Sequence, residues 1–393
     1  MHVFVLNAGA SVRTGLAGAE LRIPDPEAFF GARGINTGDL LVYDATLRHL
    51  DATKVTQLGF AAAGERKHWP QEQPDITIIR GSNYLMEGLD FGHVVPLLRH
   101  LTGPVVALGV GAQAASYRRL SLPEGSVAFW RLVAEKSESL GVRGVYSAEV
   151  LAALGIRNTR IIGCPSFYRS GAPTRPIRPV QARAGRLGLT LNRHLQGEYT
   201  PSHGLSQIAQ RRLLAEVARR PGSRLYAQGE REEMLLALGA PTLRAGRLRE
   251  VLGLYGLTGD AQVAQLLGRH MAAHIDIESW AEDLAAHVDV VLGLRLHGNV
   301  MALQQGIPAI PIVYDTRTRE MADVFDLPAI EMQLAGAMDL EAMLEGADFA
   351  PFEAAYARNF SIYRAFLEEN GLAHRLGALT ARQPALTGGG ETA

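Results

Sequence analysis

The sequence predicts an α/β protein made of two halves that face each other across a cleft. Three observations predict it. At 393 residues the chain exceeds the length over which one hydrophobic core usually keeps growing. Short apolar runs alternate with helix-period stretches up to residue 162, and the alternation starts again at residue 187. Between these stretches, residues 169–186 lose all periodicity and carry three prolines within 170–180. Strands that alternate with helices argue for mostly parallel sheets covered on both faces.

In the first half, strand-like runs fall at 3–6, 55–60, 76–79, 105–110, 142–146 and 160–162. Helix-like stretches fall at 40–50, 94–101, 127–140 and 148–154. Residues 169–186 read as a solvated connector, a simpler role for its arginines than contact with a phosphate or an anionic lipid. The second half offers strands at 187–191, 224–227, 272–275, 288–292 and 309–314. Its helices are expected at 205–219, at several places between 230 and 267, and at 300–305. Residues 352–371 read as one amphipathic helix and 385–393 as a disordered end. The expected division is therefore 1–175, 186–345 and a terminal helix at 350–372.

Composition narrows the function classes. The chain is 47% hydrophobic and 20% charged, with a net charge of −1, so no bulk attraction to nucleic acid is expected. Cys164 is the sole cysteine, which excludes an intramolecular disulfide and a cysteine-rich metal site. His270, His274 and His287 lack convincing metal-ligand spacing. No apolar stretch has the length of a membrane span, and the first residues do not read as a secretory leader, so a cytoplasmic location is expected.

The most informative stretch is 288–315. A buried strand, a short helix stopped by Gly306 and a second buried strand make a βαβ unit. Arg295, His297 and Asn299 fall at its first turn. Ligands of open α/β sheets bind beyond the carboxyl ends of strands, and helix starts favour anions. A guanidinium and an imidazole there look like an anion site with a proton donor beside it. Blander roles compete: a packed histidine, an ion-paired arginine, an asparagine that bonds the turn. Comparable positions after other strands hold Ser82 and Asn83, Gly109-Val-Gly-Ala-Gln113, Asn192-Arg193-His194 and Asp315 with Arg317. Asn36, Gly38 and Asp39 precede a helix, which Asp39 is expected to cap. Asp315 is another candidate cap, and Arg317 and Arg319 a solvated helix face. Neither the dinucleotide fingerprint nor a P-loop is present, so nicotinamide cofactors and ATP are unsupported.

The run Gly293-Leu-Arg-Leu-His-Gly-Asn-Val300, followed by Gly306-Ile-Pro308 and Tyr314-Asp-Thr-Arg-Thr-Arg319, resembles the polysaccharide pyruvyl transferase family. Asn36-Thr-Gly-Asp39, Gly81-Ser-Asn83 with Gly109–Gln113, and Val142-Arg-Gly-Val-Tyr-Ser147 leading to Gly163-Cys-Pro-Ser166 fit the same family in the same order. The likeness covers most of residues 36–328.

The resemblance implies two Rossmann-like domains in a GT-B-like arrangement, acceptor on the first and donor on the second, with the terminal helix packed back on the first. It implies transfer of the carboxyvinyl unit of phosphoenolpyruvate to a sugar of an exopolysaccharide or cell-wall precursor. The product is a pyruvate ketal, phosphate is released, and no cofactor is used. It assigns the active histidine to His297, as acid or base, and the donor-binding arginine to Arg295. Asn36, Gly38, Asp39, Ser82, Asn83, Gln113, Asn192, Arg193, His194, Asn299, Asp315 and Arg317 would line the substrates. The acceptor would be a lipid-linked oligosaccharide, a nucleotide-sugar or a glycan; a lipid-linked one would bring the protein to the inner membrane face. The competing readings are a nucleotide-sugar glycosyltransferase using Glu278 or Glu282 for the ribose, and a non-catalytic partner in polysaccharide assembly.

Overall fold

Two parallel six-stranded sheets organise the computed structural model, which describes residues 1–7, 13–15, 18–20, 36–180, 185–193, 199–200, 202–337 and 339–377. His194 and the expected disordered end at 385–393 lie outside the described residues. The first sheet contains β1 (His2–Asn7), β4 (Lys54–Gly59), β5 (Ile76–Arg80), β6 (Val105–Val110), β7 (Leu140–Val142) and β8 (Thr159–Ile161), in the order β4-β1-β5-β6-β7-β8. A small antiparallel pair, β2 (Arg13–Gly15) and β3 (Gly18–Glu20), stands apart. The second sheet contains β9 (Leu187–Thr190), β10 (Arg224–Ala227), β11 (Met271–Ala273), β12 (Val290–Gly293), β13 (Ala309–Val313) and β14 (Ile330–Glu331), in the order β11-β10-β9-β12-β13-β14. All pairings in both sheets are parallel.

The strand orders locate the functional edge. In the first sheet the chain runs outward from β1 to β4, then returns and proceeds from β5 in the other direction. In the second it runs from β9 to β11, then turns back at β12. Such reversals open a crevice at the carboxyl ends of the flanking strands. Arg80 ends β5, and the turn carrying Arg295 and His297 follows β12.

The helices framing this crevice, labelled in chain order, are α1 (Thr37–His49), α2 (Val145–Ala152), α3 (Leu296–Gln304), α4 (Thr316–Val324) and α5 (Ala350–Glu369). Helix α5 returns to the first sheet's side: the Tyr363 hydroxyl lies 3.0 Å from His49 Nδ1, and its ring stacks on Tyr168 at 4.8 Å. Asn370, just beyond α5, accepts from Ser139 N at 3.3 Å. The architecture is two Rossmann-like α/β domains, with the terminal helix reaching back to the first. Among the described residues no helix is long and apolar enough to cross a membrane.

Three expectations need correction. The strand expected at 142–146 ends at Val142, and α2 begins at Val145. Helix α2 has no cap from its own N-cap residue, Gly144; instead Glu320 of α4 accepts from Ser147 N at 2.7 Å and from its hydroxyl at 2.8 Å. A cap supplied from the other domain leaves no local mark in the sequence. The helix expected at 127–140 spans Glu124–Glu135. Asn158 Nδ2 donates to the carbonyls of Ala134 (3.0 Å) and Ser137 (3.2 Å), which ends the helix and frees Leu140 for β7.

The connector is not simply solvated. Arg169 is buried and pairs with Asp44 of the first domain and Glu278 of the second. Arg175 Nη1 donates to Gln304 O at 3.0 Å, and Arg178 N to Gly306 O at 2.9 Å, so the strap is bonded to the second domain.

Candidate active site

The turn after β12 is shaped by close backbone approach. A Cβ on Gly293 would lie 2.0 Å from Thr190 Oγ1, so only glycine lets β12 run this near β9. Asn299 Nδ2 donates to Gly293 O at 2.9 Å and Arg295 O at 3.1 Å, closing the turn. Asn299 therefore serves the turn itself. His297 then occupies the first turn of α3.

His297 is buried, with 8% of its surface exposed, but not among apolar side chains alone. Its Nε2 lies 3.7 Å from Cys164 Sγ. On the other side α1 presses its first turn against the ring: a Cβ on Gly38 would come within 2.9 Å of Nδ1. Burial, then the guanidiniums of Arg143, Arg317 and Arg80, hold its imidazole well below the ordinary histidine range. In the free protein the ring is neutral at pH 7.

Both domains supply these arginines. Arg80, 3% exposed, donates from Nη1 to Asp39 O at 3.3 Å and lies 3.6 Å from the Asp39 carboxylate. Arg143, 1% exposed, follows β7 and donates from Nε to Gly109 O at 3.0 Å and from Nη1 to Asn83 Oδ1. Gly111 makes room for it, since a Cβ there would meet Arg143 Cδ at 2.7 Å. Arg317, in the first turn of α4, donates to the Tyr314 hydroxyl and lies 3.6 Å from Asp315 Oδ2.

A polar chain joins these groups across the interdomain seam. Asn83 Nδ2 donates to Gln113 Oε1 at 3.0 Å, and Gln113 Nε2 to Asp315 Oδ2 at 2.8 Å. Two buried donors here, Arg317 Nε and Gln228 Nε2, have no acceptor among the described residues. Gln228 lies against the start of α3, where a Cβ on Gly298 would meet its Nε2 at 2.3 Å. Buried donors of native proteins are normally satisfied, so both are free to meet an acceptor at this seam. No group of three His, Cys, Asp or Glu able to hold a metal occurs among the described residues.

The structure thus brings together Gly38, Asn83, Gln113, His297, Asp315 and Arg317. Asn36 is adjacent: it caps α1, accepting from Gly38 N at 3.0 Å, the role expected of Asp39, which instead faces Arg80. Ser82 contributes its carbonyl, which accepts from Gly111 N at 2.9 Å. Asp315 is the expected cap of α4, within a capping box. Arg317 is not on a solvated face, and Arg319 pairs with Asp323 and Glu331.

Other residues point elsewhere. Arg295 is engaged with the Glu230 carboxylate and donates from Nε to Leu191 O at 3.2 Å. Arg193 is held by Glu232 and by Glu233, the latter at 2.8 Å. Asn192 reaches the site indirectly, with Nδ2 3.3 Å from the Tyr314 hydroxyl. Glu278 is tied to Arg48 and Arg169. Sequence reasoning missed Arg80, Arg143 and Cys164. The two arginines did leave a signal: each follows a buried apolar strand directly and is followed within one residue by glycine.

Fold and site define a two-domain α/β protein with a cationic interdomain seam centred on a neutral histidine. Residues 36–316, most of the chain, match the family described as polysaccharide pyruvyl transferase, and the chain belongs to that family. It is a transferase of polysaccharide biosynthesis.

Among solved structures it is similar to UDP-N-acetylglucosamine 2-epimerase from Rickettsia bellii, with a TM-score of 0.46 and 9% identity over 94% of this chain and 95% of that one. It is similar also to UDP-GlcNAc 2-epimerase from Neisseria meningitidis bound to UDP-GlcNAc, with a TM-score of 0.44 and 11% identity over 94% of this chain and 100% of that one. Trehalose-6-phosphate synthase OtsA gives a TM-score of 0.44 and 11% identity over 94% and 97% of the two chains. No curated protein matches the sequence.

Proposed function

We propose that the protein transfers the carboxyvinyl unit of phosphoenolpyruvate to two hydroxyls of a sugar in a polysaccharide precursor, forming a pyruvate ketal and releasing phosphate. The observation that carries this reading is a buried imidazole at a seam to which both domains bring arginines: Arg143 Nη2 and His297 Nε2 both approach Cys164 Sγ, at 4.0 and 3.7 Å, with Arg80 from the first domain and Arg317 from the second. A carboxylate and a phosphate on one small donor match that set of guanidiniums. The donor lies across the seam, between Arg80 and Arg143 on one side and Arg317 and the start of α3 on the other. Arg295, engaged with Glu230, steadies the turn that presents His297 rather than binding the donor itself.

Donor binding offsets the arginine charges, so the imidazole takes up a proton that the free site excludes. The imidazolium gives this proton to the methylene carbon as the first sugar hydroxyl bonds to C2. The hydroxyl's proton returns to the imidazole. Cleavage of the C2–O bond releases phosphate, the second hydroxyl closes the ring, and its proton leaves with the phosphate. Both hydroxyl protons are then accounted for. Acid–base work of this kind contributes roughly 10²–10⁴-fold, and the arginines stabilise charge on the departing phosphate. The acceptor is a lipid-linked oligosaccharide, a nucleotide-sugar or a free glycan, met in the cytoplasm or at the inner membrane face.

The test is phosphate release from phosphoenolpyruvate in the presence of a panel of activated sugars. His297→Ala is expected to bind donor, remain folded and lose turnover by about 10²-fold or more. Near-wild-type turnover in that variant would remove His297 from the mechanism. Transfer of a hexose without consumption of phosphoenolpyruvate would replace the reading with glycosyl transfer.

A further inference from the structure

A second feature lies on the segment that carries Gln113. Four residues beyond Gln113, Tyr117 stands 54% exposed at the wall of a hollow of about 380 Å³. That volume lies within the range of small-ligand pockets, about 300–1,000 Å³. Its floor is apolar: Leu120, Val150 and the Tyr146 ring, all buried. Tyr117 meets Tyr146 edge to face at 5.0 Å, and Tyr146 is fixed by its hydroxyl donating to Arg118 O at 2.8 Å. The exposed ring therefore stands on a rigid base rather than on a free loop.

The rim is polar and nearly neutral. Arg118 is neutralised by a two-pronged pair with Glu87, at 2.8 and 2.7 Å. Arg119 and Glu149 also line the hollow, and neither side chain has a partner among the described residues. One free cation opposite one free anion does not select a phosphate or a nucleotide. An apolar floor, an open aromatic face and free hydrogen-bonding groups of both signs match a neutral pyranose, with its CH face and its ring of hydroxyls.

The hollow is also near the chemistry. Four residues of chain span at most about 14 Å, so Tyr117 lies within that distance of Gln113. Ala114, three residues before Tyr117, exchanges two hydrogen bonds of 3.0 Å with Thr316 of α4, which places this segment beside the second domain.

We propose that this hollow is an acceptor subsite, holding a neutral sugar of the acceptor chain at a distance from the sugar that reacts. It rests on the reading that the seam modifies a sugar, and it adds to that reading a second point of grip on an oligosaccharide. Tyr117 stacks on the pyranose face, while Arg119 and Glu149 bond its hydroxyls. Such a subsite favours an oligosaccharide acceptor over a single activated sugar.

Saturation-transfer NMR on the full chain tests it, with cellotetraose, maltotetraose and chitotetraose as neutral probes and UDP and inorganic phosphate as anionic ones. At least one tetrasaccharide is expected to bind. Tyr117→Ala and Glu149→Gln, both at exposed positions, should each weaken it by about fivefold or more. Excess phosphoenolpyruvate and His297→Ala should leave the binding unchanged. The proposal falls if no tetrasaccharide binds, if Tyr117→Ala has no effect, or if only UDP or phosphate gives a Tyr117-dependent signal. Because binding is read without turnover, the two readings fail separately. Saccharide binding without consumption of phosphoenolpyruvate keeps the subsite and removes the donor; the converse removes the subsite alone.

Discussion

A buried imidazole whose charge is opposed by guanidiniums responds to any anion that joins them. His297 is kept neutral first by burial and then by Arg143, Arg317 and Arg80. An anion that settles among those arginines removes their repulsion and adds an attraction of its own, which raises the ring's basicity against the burial that lowers it. Arg317 is the arginine to test, because it enters from α4 and carries a buried Nε without an acceptor among the described residues. Arg317→Gln is expected to weaken phosphoenolpyruvate binding by roughly 10–100-fold, the loss of one charge-assisted hydrogen bond of about 1.5–3 kcal/mol. Calorimetric titration reads this directly. The same variant should move the His297 pKa upward toward the ordinary value, since a positive neighbour has gone. An unchanged affinity would place the donor elsewhere.

At the scale of elements, the two domains complete each other's helices. Helix α2 of the first domain receives its cap from Glu320 on α4 of the second, and a Cβ on Gly144 would lie 2.2 Å from Glu320 Cγ. Burial pushes the Glu320 carboxyl up to about 7, against the two bonds from Ser147 that pull it down. For an acid whose folded pKa is raised, the native state binds more protons than the unfolded state between the two values. Its contribution to stability is therefore fully present below the unfolded pKa, near 4.5, and is lost as pH rises through about 7. Glu320→Gln keeps an acceptor for Ser147 N and removes the titration. Urea unfolding of this variant should lose the Glu320-dependent decline between those pH values; the same decline in wild type and variant would show that another group sets it. Glu320→Ala removes the cap and should cost about 0.5–2 kcal/mol.

Over the whole molecule, the seam is short-range and specific. Ala114 N donates to Thr316 Oγ1 and Thr316 N to Ala114 O, each at 3.0 Å, while Thr37 N donates to Gln228 O at 2.9 Å on the opposite side of His297. The Phe167 and Phe325 rings stack at 3.8 Å beneath. The alternation of buried strands and helices was legible, because parallel sheets need continuous apolar runs: 105–110 and 224–227 were read with their observed bounds. So was the βαβ unit that carries His297, although its helix begins at Leu296 rather than at the expected 300 and takes His297 and Asn299 into its first turn. What was not legible is whatever depends on the second domain meeting the first. Arg80 and Arg143 were not singled out, the cap of α2 was invisible, and Arg295 gave no hint that Glu230, 65 residues earlier, would engage it. Proximity in sequence made Arg295 the natural companion of His297; the charges that act on the ring come instead from Arg143, Arg317 and Arg80, of which Arg143 shares Cys164 Sγ with it.

The proton on His297 can be followed by histidine NMR. In protein labelled in its imidazole nitrogens, with His297 identified by the signal lost in His297→Gln, the free ring should be neutral at pH 6.5. Saturating phosphoenolpyruvate, without acceptor, should convert it to imidazolium at the same pH. A ring already charged in the free protein, or one that stays neutral when the donor is bound, would rule out proton uptake by His297 on donor binding.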